Sequence, residues 1–156
     1  MTKILLSLHV LAAIVAIGPV TVAASMFPPA ARRAVPAGDA LDPAAVGTVA
    51  LLHRICRVYA AVGLTVPVLG LATGAAMGVL GSGWLVTSIA LTAAAAGVLL
   101  AFVLPRQEEL LGRLEDDRTV ERGDTVQLAM FTGIFNLLWA TVTVLMIVRP
   151  GSTTGA

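Results

Sequence analysis

His53 and Cys56 carry the imidazole and the thiol best suited to hold a metal or act as a nucleophile. Their three-residue spacing places both on one face of a helix. They lie in the stretch 41–80, LDPAAVGTVALLHRICRVYAAVGLTVPVLGLATGAAMGVL, around which the rest of the chain is organised. Arg54 and Arg57 stand beside them and would repel a cation, and no third ligand is near in sequence, so a metal centre is not expected. His9 and His53 could be imagined as a haem pair. His9 enters near one end of its apolar run and His53 precedes the start of the next, on the order of 25 Å apart in depth at the helical rise. One iron cannot bridge that gap. A haem held by His9 or His53 alone, with Arg54 or Arg57 on its propionates, is the alternative reading. The simpler reading makes His53, Arg54 and Arg57 an anchor touching lipid phosphates.

Asn136 is the strongly polar residue placed near the middle of an apolar run, and its simplest role is a hydrogen bond that locks two helices. Gly70, Gly74 and Gly78 recur at every fourth position. They make a smooth helix face for close backbone approach, within the chain or across a homodimer seam. No Asp or Glu falls in an apolar run, which argues against proton-coupled transport. No CxxC, G-x-S-x-G, H-E-x-x-H or phosphate-cradling glycine loop occurs, so no enzymatic activity is indicated.

The elements that must position these residues follow from composition. The 156 residues are 58% hydrophobic and 12% charged, with a mean hydropathy of +0.94. Soluble domains are about half apolar and roughly a quarter charged. The apolar excess falls in four runs, 4–27, 58–80, 84–104 and 125–148, each long enough to cross the ~30 Å hydrocarbon layer. A net charge of +1 supplies no field for nucleic acid. A single cysteine excludes an intrachain disulfide. The expected architecture is all-α: one transmembrane domain, an up-and-down four-helix bundle.

Lys3 before the first run and Val22-Ala23-Ala24 before Ser25 resemble a signal peptide, but the run continues past that point and reads as a retained span. Pro19 leaves the Val15 carbonyl without its helical donor, and Pro28-Pro29 should end the helix. Asp42-Pro43 reads as an N-cap followed by proline at the first helical position. From there to Leu80 only Pro67 interrupts, a helix of about 55 Å. Its crossing is 58–80, with Tyr59 at the interface and a helical prelude over 43–57. Gly81-Ser82-Gly83 is a tight hairpin, and Trp84 anchors the next span. Pro105 ends that span or bends it. Beyond it, Leu110, Leu111 and Leu114 share a face and Glu109 pairs with Arg113 at i,i+4. Asp124 with Gln127 resembles a capping box, and the tail 152–156 should be unstructured.

Eight of the ten Lys and Arg flank the connections 28–42 and 105–124, against Lys3 and Arg149 on the other side. The imbalance places both loops in the cytoplasm and both termini outside. With the turn near Ser82, Arg57 should come level with Gln107 or Glu108, and Arg54 with Glu109. Segment 106–124 holds four arginines and seven carboxylates. It should therefore pair with the basic prelude, its leucines covering Leu51, Leu52 and Ile55. Asn136 should donate to the Val15 carbonyl.

LHVLAAIVAIGPVTVAASMFPPAARRA, with the closing GIFNLLWATVTVLMIVRPG, resembles an uncharacterised family of small bacterial four-helix integral membrane proteins. More distantly it is similar to copper-resistance membrane proteins and membrane protoporphyrinogen oxidases, whose early histidine His9 matches. The chain departs from both: the further intramembrane His and Met ligands are missing, and Ile17-Gly18-Pro19 replaces an aromatic-rich continuation. The expected function is that of an accessory or scaffolding protein of the bacterial inner membrane. It would bind lipid, another membrane protein or a second copy through Arg32, Arg33, Arg54 and Arg57. The alternative is a haem-handling or redox protein.

Overall fold

The computed structural model describes residues 2–35, 41–116 and 119–151. Arg118 and the tail 152–156 lie outside the described residues. Four helical rods emerge, each long and apolar enough to cross a membrane. The first is α1 (Thr2–Arg33) and the second is α2 (Pro43–Gly63) followed by α3 (Thr65–Ala76). The third joins α4 (Gly83–Val98) through a π-helical turn (Leu99–Val103) to α5 (Leu104–Glu115), and the fourth is α6 (Arg122–Val148).

Proline decides where these rods bend, and not always as expected. Helix α1 does not stop at Pro28-Pro29 but runs on to Arg33. Proline's φ is already helical, and the cost lies in the donors withheld from the carbonyls four residues back. Here packing offsets it: Phe27, Ala31 and Ala34 are fully buried, and Pro28 is buried with them. The second rod does break, at Leu64, three residues ahead of Pro67. Leu64 N–H turns back to the Ala61 carbonyl at 3.2 Å, and Thr65 Oγ1 donates to the Val62 carbonyl at 2.8 Å. The rod stops at Ala76 rather than Leu80, because Gly78 takes a φ of +68° and turns the chain. Pro105 does not end the third rod. A wider turn absorbs it, in which Leu104 N–H reaches the Leu99 carbonyl five residues back.

The Asp42 cap forms as expected, its Oδ1 accepting from Ala44 N–H at 3.0 Å. The box at Asp124 does not. Helix α6 starts earlier, at Arg122, with no side-chain cap. Asp124 accepts from Arg113 at 2.8 Å, and Gln127 accepts from Arg106.

Helix α1 packs along α2, α3 and α6, while α4 lies on α6 and α5 closes against α2. Helices α3 and α4 touch only slightly, although a hairpin joins them directly. The bundle is therefore tight at the end bearing the two long connections and splayed on one side toward the hairpin. Small residues Ala16, Ala23, Ala24 and Ala31 let the partners of α1 come close. In the most apolar window of each rod at most 22% of residues are buried. Leu137 and Ile147 are 70% and 76% exposed. Rods apolar on all sides are the build of a multi-pass transmembrane protein.

Candidate functional site

His53 and Cys56 share the face of α2 that meets α5, and the residue waiting for them is Gln107. The His53 ring nitrogen Nδ1 lies 3.2 Å from Gln107 Oε1, and Gln107 Nε2 donates to Cys56 Sγ at 3.6 Å. This pattern puts the imidazole proton on Nδ1 and leaves the Nε2 lone pair facing inward, where it has no partner. Gln107 and Cys56 are fully buried and His53 is 6% exposed. A glutamine is no base, and the thiol is sealed from reagents, so the triad joins helices rather than performing nucleophilic chemistry. Among the described residues no three His, Cys, Asp or Glu side chains group to hold a metal.

The expected ion pairs from Arg57 to Glu108 and from Arg54 to Glu109 are not formed. Glu109 pairs with Arg113 at 2.5 Å, and Arg113 also reaches Asp124. The anticipated level was close, since Gln107 sits one residue from the pairing foreseen for Arg57. The face was the error. Val49, Leu52, His53 and Cys56 turn inward, which leaves Arg54 and Arg57 exposed. Leu52 is buried with Leu110 and Leu114, and Ile55 packs partly against them, but Leu51 points outward at 57% exposure. Arg32 and Arg33 end α1, also exposed. None of these four arginines takes part in an ion pair among the described residues.

His9 belongs to a second cluster near the hairpin end. Its Nδ1 lies 3.0 Å from the Val66 carbonyl. The ring rests on Gly70, where an added Cβ would come within 2.9 Å of His9 Cε1. A Cβ at Gly74 would meet Leu85 Cδ2 at 2.9 Å. Two glycines of the stripe thus serve contacts inside the chain. Gly78 meets nothing within 4 Å and is a turn residue, not part of a packing face. His53 lies thirteen residues before Val66, His9's partner, or about 20 Å along the rod, so the two imidazoles stay apart. A tetrapyrrole fits at neither. The cavity beside His9, bounded by Thr73, Met77, Trp84 and Met146, holds about 30 Å³, and His53 is enclosed by packed side chains.

Asn136 does bind α1, but not at Val15. Its Nδ2 donates to Ser25 Oγ at 3.2 Å, and Ser25 Oγ donates on to the Thr21 carbonyl at 2.7 Å. Val15 faces outward, 56% exposed. Asn136 Oδ1, Thr132 Oγ1 and Trp139 Nε1 are buried without partners, and their spacing lays all three along one stripe of α6.

Sequence reasoning brought Gln107 level with Arg57 but missed its contacts with His53 and Cys56, and it missed an apolar cleft where the rods splay. Ile17 of α1, Gly63 and Pro67 of the second rod, Ala96 of α4, and Phe135 and Trp139 of α6 all contribute to its walls. Ala60, Gly63 and Ala96 are small side chains opposite the break at Leu64 and the π-turn that starts at Leu99, and they leave the space unfilled.

The described residues form an all-helical, four-rod protein in which His53, Gln107 and Asn136 tie one rod to another, while the buried hydroxyls of Thr73, Ser88 and Thr125 bond carbonyls of their own rods. No family model, curated protein or solved structure matches the chain.

Proposed function

We propose that this chain is an accessory or scaffolding subunit of the bacterial inner membrane, docking another membrane protein or anionic lipid through its exposed arginines. In this reading it belongs with the small four-helix membrane proteins that its first and last helices resemble. Connections 28–42 and 105–124 face the cytoplasm, following the excess of Lys and Arg that flanks them. The observation that carries the reading is the state of the charges. Arg32, Arg33, Arg54 and Arg57 are exposed and outside any ion pair among the described residues, while the acidic side chains Glu109 and Asp124 are taken by Arg113. Unpaired guanidinium groups beside an apolar surface are suited to phosphates or to carboxylates of a partner.

Affinity purification from native membranes tests it. The Arg54→Glu/Arg57→Glu variant should lose the co-purifying protein, or anionic phospholipid counted by mass spectrometry, while keeping its helical content. Recovery of the same material with native protein and variant would overturn the reading.

A further inference from the structure

At the closed end, α2 and α5 present charges of opposite sign on one surface. Their rods are joined by a hairpin and run antiparallel, and Gln107 sets their level by reaching both His53 and Cys56. Arg54 and Arg57 each follow an inward residue of α2 by one position, His53 and Cys56. Glu108, Leu111 and Glu115 each follow an inward residue of α5, namely Gln107, Leu110 and Leu114. One position is a turn of about 100°. Between antiparallel helices packed face to face, that turn carries both stripes to the same side of the seam. Arg54, Arg57, Glu108 and Glu115 are exposed there, and none is in an ion pair among the described residues.

A surface that carries both signs of charge at one depth is complementary to itself. The contacts of Gln107 put Glu108 level with Arg54 and within a turn of Arg57. Every copy enters the membrane in one orientation, so a two-fold axis along the membrane normal leaves each residue at its own depth. Across such an axis one residue meets a second, and the second meets the first. Arg54 and Arg57 of one copy then face Glu108 of the other, and the same contacts repeat in reverse. A partner bearing one sign of charge would match half of this surface and be repelled by the other half. Leu104 and Leu111, half-buried on the α5 stripe, add apolar area beside the carboxylate.

We propose that α2 and α5 form the seam of a symmetric homodimer, with Arg54 and Arg57 of each copy paired to Glu108 of its partner. This pairing rests on the docking reading above and makes a second copy of the chain the partner.

The test is resonance energy transfer between donor- and acceptor-labelled full chains in phosphatidylcholine liposomes. The dyes sit on Ser152→Cys in a Cys56→Ala background, and the chains are diluted with added lipid. Transfer should fall with dilution as the dimer dissociates. Arg54→Glu/Arg57→Glu chains, or Glu108→Arg chains, should bind themselves roughly two- to thirtyfold more weakly, as expected for the loss of two symmetry-related exposed ion pairs. Mixed together, the two variants should recover native affinity, because each supplies the charge that the other has reversed. Pairing within one chain could not be rescued in this way. Absence of transfer at every dilution, native affinity in either variant, or no recovery on mixing would each overturn the proposal. A monomeric chain that still retains native protein or anionic phospholipid through its arginines would sink the homodimer and leave the docking reading standing.

Discussion

Gln107 holds two side chains of α2 at once, so its amide should matter more than its position on a polar segment suggests. Gln107→Leu keeps the volume and leaves His53 Nδ1 without a partner. It should lower stability by about 1–3 kcal/mol, the cost of orphaning a buried polar group. Adding His53→Leu should recover part of the loss, and a double-mutant cycle followed by denaturant unfolding measures the coupling. Additive losses would show the two side chains to be independent. Asn136→Leu should cost about 0.6–1.7 kcal/mol, as membrane hydrogen bonds do. Ser25→Ala should then add little, whereas Val15, which faces outward, should tolerate Leu without loss. Gly70→Ala forces the His9 ring off its seat and should cost about 1–3 kcal/mol. Most of that should disappear in a His9→Ala background, where the ring is gone, and parallel thermal unfolding of the two backgrounds checks it.

At the scale of elements, three prolines have three outcomes. Pro28 is carried inside α1 by the packing of Phe27 and Ala31, Pro67 follows a break at Leu64, and Pro105 is absorbed by the π-turn. The π-turn sets the rotation of α5 and hence the inward aim of Gln107. Pro105→Ala returns an N–H to the Ala101 carbonyl and should let regular helix replace the wider turn. Losing one residue of offset would rotate α5 by about 100°. In the Pro105→Ala background the coupling between His53 and Gln107, measured by the same double-mutant cycle, should then fall to near zero. An unchanged coupling would mean that the rotation is held by Leu110 and Leu114 instead.

For the whole molecule, the closed end and the splayed side make different demands. Near the long connections, α5 meets α2 through Leu52, Leu110 and Leu114 around the buried triad. Toward the hairpin, α3 and α4 part and leave the cleft. Orientation belongs to this scale too. A cysteine introduced at Asp116, in a Cys56→Ala background, should react with impermeant maleimide only after the cytoplasmic face is opened. Labelling in intact cells would reverse the assignment of both loops.

Some of this was legible in the residues alone. Four apolar runs, the Asp42-Pro43 start of α2 and the helical prelude follow from local rules: hydrophobic length, caps and breakers act within a few residues of themselves. The level at which α2 meets α5 was also near, because helical rise from a known turn is arithmetic. What needed the tertiary structure was rotation. A helix places successive side chains about 100° apart, so an unforeseen π-turn or a helix continuing through Pro28 changes which residue faces which neighbour. That is why Gln107, not Glu108 or Glu109, meets α2, and why Asn136 finds Ser25 instead of Val15. The cleft beside Trp139 arises from the parting of two rods whose linking hairpin gave no sign of it. Contacts of that kind depend on packing summed over all four rods, and no local stretch of sequence contains them.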